Sequence, residues 1–175
     1  MLPAAIQGGQ GVGSRPESQG PTPDPKAFEH ALASRPAHPI ELEKTEDFSL
    51  GNAYSLAWMA ELAYDDPGEI QETLSQWGFS TVRFIDNGET DTEGFVASNG
   101  EATVLAFRGS EAKWEDWGNN LRAWRTEGAL EGSVHAGFHR ALESVWGDVT
   151  SALAEVGGAD PGLWIGGRWL GGGLA

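Results

Sequence analysis

Hydrophobic and polar positions fall into regular patterns only from about residue 47 onward. Ala53, Leu56, Ala57, Ala60, Ala63 and Tyr64 recur at helical spacing, which predicts an amphipathic helix over 52–64. Asp66-Pro67-Gly68-Glu69 reads as a capping box, with Asp66 accepting from free amides, Pro67 at the first helical position and Glu69 bonding back. Ile70, Leu74 and Trp77 form the buried stripe of that second helix, and Gly78 ends it. Three strands rich in Val, Phe and Thr follow at 80–85, 93–98 and 102–107. Asn99-Gly100 signals a tight hairpin between the last two, while Asn87-Gly88 marks a turn in a longer loop between the first two. Thr103-Val104-Leu105-Ala106-Phe107 is almost continuously apolar, as a central strand covered on both faces should be. The polar, Trp-rich stretch 108–133 resists assignment, and its length suits a lid or a binding loop. Phe138, Leu142, Val145, Val149, Leu153 and Val156 then step by 4, 3, 4, 4 and 3, predicting a helix over 137–156. Gly157-Gly158 stop it, Asp160-Pro161-Gly162 turns the chain, and Leu163-Trp164-Ile165-Gly166 opens another strand. A strand–helix–strand crossover of this kind is the unit of a parallel α/β sheet.

Composition sets the boundary of the folded part. Seven of the nine prolines lie before residue 45, among Gly, Gln and Ser, so residues 1–45 read as a disordered Pro/Gly-rich leader and 46–175 as the globular domain. A short helix around 28–33 is the one element expected in the leader. The 175 residues suit one domain plus a tail.

Charge and cysteine content remove whole classes of function. The formal net charge is −15, which opposes nucleic acid and anionic lipid surfaces. Cysteine is absent, so a disulfide framework, a thiolate zinc site and a cysteine nucleophile are excluded together. No apolar run approaches the ~20 residues of a membrane span. Residues 1–10 lack the basic and apolar stretches of a secretory signal, which leaves a cytoplasmic location as the default expectation. His135 and His139 have metal-ligand spacing, but Glu143 is the one carboxylate close by in sequence. Neither a metal nor a cofactor is expected. Ser110-Glu111-Ala112-Lys113 fits a Ser–Lys nucleophile pattern without its companion motifs. Glu61 reads as a solvated side chain. The oligomeric state is left open.

The end of the last strand draws the chemistry. A strand running into a tight turn flanked by glycines, then into small residues, is the geometry of a nucleophile elbow, G-x-S-x-G. The five residues here are Gly167-Arg168-Trp169-Leu170-Gly171, with both glycines in place and Trp at the serine position. Together with Leu105-Ala106-Phe107-Arg108-Gly109-Ser110, Asp116-Trp117 and Val134-His135-Ala136-Gly137-Phe138, this segment resembles the class 3 (fungal-type) lipases. The resemblance covers most of 47–175. The family's elbow typically reads G-H-S-L-G-G-A-L-A, where this chain has G-R-W-L-G-G-G-L-A.

That resemblance implies an α/β fold: an incomplete α/β-hydrolase with a helical N-terminal cap and a mixed, mostly parallel sheet. It implies hydrolysis of carboxylic esters of lipids by a Ser–His–Asp triad. The nucleophile position maps onto Trp169. The Asp and His would follow it in chain order, beyond Ala175. The oxyanion donors map onto the amides of Ser110 and Leu170, the elbow glycines onto Gly167 and Gly171, and a lid onto 111–117 with Trp114 and Trp117. The family's second Asp in Asp-Trp-x-x-Asp is Asn120 here. Arg168, in place of the usual His, puts a charge where the fold normally buries the side chain, which is costly without a partner. Two classes of function follow. One is a lipase-family ester hydrolase of lipid metabolism that is inactive as given, its substrate a lipid or small ester if the site were completed. The other is a non-catalytic lipid-binding pseudoenzyme, or the product of a decaying gene.

Overall fold

The computed structural model describes residues 35–37, 40–45, 47–109, 125–127, 133–157, 162–168 and 170–175. The helix expected around 28–33 lies outside them, as do residues 111–117. In chain order the described elements are α1 (Leu50–Leu62), α2 (Pro67–Gln76), β1 (Thr81–Asn87), β2 (Thr92–Ser98), β3 (Ala102–Phe107), β4 (Arg125–Glu127), β5 (Ser133–His135), α3 (Ala136–Val156), β6 (Gly162–Gly167) and α4 (Leu170–Leu174).

Local chemistry accounts for most of these boundaries. Ser49 caps α1, its hydroxyl accepting from the Asn52 amide at 3.2 Å. Asp66 occupies the N-cap of α2 with Pro67 following, but its side chain makes no capping hydrogen bond, so the expected capping box does not form. Gly78 leaves α2 at φ +93°, a left-handed conformation that glycine adopts without a Cβ penalty. In the β2–β3 turn Asn99 Oδ1 accepts from the amides of Glu101 and Ala102, and Gly100 takes φ +90°.

The main sheet runs β1-β2-β3-β6. It is mixed, as expected, but mostly antiparallel rather than mostly parallel: β1–β2 and β2–β3 are antiparallel and β3–β6 is parallel. Short turns join the first three strands and force them antiparallel, whereas only α3 makes a crossover long enough for a parallel neighbour. A second, two-stranded sheet pairs β4, inside the stretch 108–133 that the residue pattern left unassigned, with β5, which starts at that stretch's last residue.

Alternation along β2 and β3 distributes the core to two faces. Phe95, Ala97, Val104 and Ala106 pack with Trp58, Met59, Leu62, Ile70 and Leu74 of α1 and α2. Val96, Leu105 and Phe107, with Ile85 of β1, pack against Val145, Val149, Ala152 and Val156 of α3. β3 is buried along its whole length, which explains its unbroken apolar run.

Residues 35–37 and 40–45, which composition groups with the leader, belong to the compact unit. Ile40 is buried in the core, the Trp77 indole donates to the Pro36 carbonyl at 2.8 Å, and Asn52 exchanges two hydrogen bonds with the Glu43 backbone. Proline composition marks this stretch as irregular, yet an irregular segment still packs when it carries one apolar anchor and meets polar partners. No helix among the described residues is long and apolar enough to cross a membrane.

Candidate active site

Two chain turns come together where the parallel pair ends. Phe107 and Gly167 are register partners at the carboxyl ends of β3 and β6. The loop entered at Arg108 and the turn entered at Arg168 therefore leave the sheet side by side. The carboxyl edge of parallel strands is where open α/β sheets place ligands.

Two glycines make the second turn possible. A Cβ on Gly167 would collide with the backbone of Gly171 and Gly172, and one on Gly171 would collide with the Phe107 carbonyl. The start of α4 thus lies directly against the end of β3, closed by a hydrogen bond from the Gly171 amide to the Arg168 carbonyl at 3.0 Å. Leu170 opens α4. Ser110, Trp114, Trp117 and Trp169 lie outside the described residues, as does the Ser110-Glu111-Ala112-Lys113 pattern.

A tyrosine that the residue pattern assigned only to a helix stripe stands between the two turns. The Tyr64 hydroxyl accepts from the Gly109 amide at 3.1 Å. The guanidinium carbons of Arg108 and Arg168 each lie 5.6 Å from its ring centroid, within cation–π range. Arg108 also bonds the Glu93 carboxylate at 2.6 Å. Arg168 is not buried, contrary to expectation: its side chain is 48% exposed and it pairs with Glu61. Glu61 in turn is not merely solvated. The fold meets the charge by turning it out toward α1, where a carboxylate and an aromatic ring receive it. Glu61 and Tyr64 stand three residues apart, on one face of a helical turn, and that spacing was the signal available in the sequence.

The histidines serve structural ends. His135 Nδ1 accepts from the Gly137 amide at 3.1 Å and so caps α3, its ring edge-on to Phe138 at 5.4 Å. His139 lies 3.2 Å from the Glu143 carboxylate on the next helical turn. Among the described residues no group of three potential ligands could hold a metal ion.

Comparison with known proteins follows the same lines. The family model "Lipase (class 3)" matches residues 104–175. No curated protein sequence matches the chain. Similar solved structures include a triacylglycerol lipase whose catalytic centre is formed by a serine protease triad, 17% identical, covering 73% of this chain and 53% of that one, with a TM-score of 0.50. They also include a triacylglycerol lipase from Penicillium expansum, 24% identical, covering 55% and 42% of the two chains at a TM-score of 0.42. The Lip2 lipase from Yarrowia lipolytica is 20% identical over 67% and 48%, with a TM-score of 0.43. The present chain spans about half the length of these lipases, from 42% to 53%. The chain thus matches the class 3 lipase family over residues 104–175 and carries a partial α/β-hydrolase fold.

Proposed function

We propose that this chain has the framework of a lipase-type carboxylic ester hydrolase of lipid metabolism, and that it does not turn over esters as it stands. One observation carries the reading. In Gly167-Arg168-Trp169-Leu170-Gly171 the position of a nucleophile is taken by Trp, between two glycines that the packing of β6 and α4 requires.

An indole nitrogen is a hydrogen-bond donor only, its lone pair being held in the ring, so Trp169 has no atom that can add to an ester carbonyl. What this reading leaves in place is polarisation. The amides of Ser110 and Leu170 are assigned as donors to a carbonyl oxygen, one on each of the two neighbouring turns. Without a nucleophile such donors supply only the modest residual catalysis seen when triad members are removed. Support comes from the placement of both turns at the carboxyl ends of adjacent parallel strands and from the lipase-family match over 104–175.

The test is turnover of p-nitrophenyl butyrate and octanoate by the purified chain. Hydrolysis at the buffer rate is expected. A saturable rate that a serine-directed organophosphonate abolishes would overturn the reading. Sequencing the source locus through the codons for Gly167 to Ala175 and beyond gives an independent check, because a serine codon at position 169 would restore an active hydrolase to consideration.

A further inference from the structure

The described part of the loop leaving β3 ends at Gly109. Gly109 has no side chain to restrict its backbone, so the direction in which the chain leaves the sheet has to be set from outside. Gly109 is buried, and a buried amide without a partner is costly. α1 supplies the partner. Its last turn is followed by Tyr64, whose hydroxyl oxygen takes the Gly109 amide proton at 3.1 Å.

The tyrosine is itself held from several directions. Arg108 and Arg168 each place a guanidinium carbon 5.6 Å from the ring centroid. Each arginine is fixed at its far end by a carboxylate on another element, Glu93 on β2 for Arg108 and Glu61 on α1 for Arg168. Arg108 is tied down further by its backbone amide, which donates to the Glu93 carbonyl at 2.9 Å. One phenol ring therefore touches both turns: the first through its hydroxyl and Arg108, the second through Arg168.

We propose that Tyr64 is the positioning residue of this site, fixing the Gly109 amide and, through Arg168 and Glu61, the turn that follows β6. A consequence concerns which amides are available to a bound oxygen. The Gly109 proton is already committed to Tyr64, so Gly109 is not a donor to substrate, and the proposed reading leaves polarisation to the amides it assigns, those of Ser110 and Leu170. The assignment of a role to these turns rests on the ester-hydrolase reading; the contacts of Tyr64 do not.

Amide hydrogen exchange in the full chain, followed by NMR on uniformly labelled protein, tests the proposal. Tyr64→Phe keeps the ring and both arginine contacts and deletes only the acceptor. Exchange at Gly109 is expected to quicken about tenfold, with its amide proton resonance moving upfield, while Val104 and Leu105 in β3 stay unchanged. Arg168→Gln keeps the hydroxyl and loosens the ring, so a smaller quickening at Gly109 is expected, with Arg168→Lys closer to the parent because it keeps the charge beside Glu61. Gly109 exchange unaltered in Tyr64→Phe overturns the proposal. If Tyr64→Phe does not fold, unaltered Gly109 exchange in Arg168→Gln overturns it instead. Ester turnover by the unaltered chain would sink the functional reading and leave these exchange results as they are.

Discussion

At the scale of single residues, space matters more than charge. Arg168 reads from sequence as an expensive buried cation, yet it lies half exposed against Glu61, and exposed pairs of this kind contribute only ~0–1 kcal/mol. Gly171 is the stricter position. Its missing Cβ is what lets α4 lie against the Phe107 carbonyl. Gly171→Ala has to push two backbone segments apart, and overpacking of this kind costs about 1–3 kcal/mol. Gly88→Ala is the matched control. Nothing lies within 4 Å of its Cβ position and its φ is not among the positive ones, so a change below ~0.5 kcal/mol is expected. Urea unfolding of both variants checks the pair, with a lower midpoint for Gly171→Ala and an unchanged one for Gly88→Ala. Equal midpoints would mean that α4 does not approach β3 as described.

Elements differ in how openly the sequence declared them. α3 was legible because its apolar positions step evenly, and five of its residues are buried on the face toward the sheet. That face leaves Gly147 pointing into open space in mid-helix. Gly147→Ala should therefore raise stability by about 0.8–1.0 kcal/mol, the intrinsic difference between the two residues in a helix interior. Thermal unfolding reads it, and a lower midpoint would show that the position is not open. β3 and the turn at Asn99-Gly100 were equally plain, one from its unbroken apolar run and the other from side chains that bond their own backbone. The paired strands β4 and β5 were not. At three residues each they are too short to show alternation, and their partnership is set by tertiary contact. The Tyr64 hydroxyl contact escaped for the same reason. A tyrosine closing an apolar helix stripe looks like core, and nothing local announces that its hydroxyl meets an amide 45 residues further on. The tight turn at Gly167 and Gly171 was legible because close backbone approach leaves few alternatives to glycine. Position 169 lies outside the described residues, and its reading as a nucleophile position belongs to the proposal.

Across the whole molecule, the sheet is covered unevenly. α3 packs over β1, β2 and β3 through Ile85, Val96, Leu105 and Phe107, and on that side of β6 Leu163 and Ile165 remain 49% and 45% exposed. Among the described residues β6 has no strand on its outer side, and Gly162-Leu163-Trp164-Ile165-Gly166-Gly167 carries no charge to discourage pairing. An uncharged apolar edge strand is a template for association. The opposing force is the net charge of −15, which makes two copies repel. The range of that repulsion falls with salt, from ~30 Å at 0.01 M to ~8 Å at 0.15 M. Association should accordingly rise as salt is added, opposite to what a contact built on ion pairs would do. Ile165→Lys places a charge on the exposed strand face, where a substitution costs less than ~0.5 kcal/mol. Sedimentation velocity across a salt series is the measurement. The parent chain should gain mass as salt rises and Ile165→Lys should stay monomeric with the same melting temperature. If the parent remains a monomer throughout, or the variant associates equally, the exposed strand is not the sticky surface. The charge would then be setting solubility by itself.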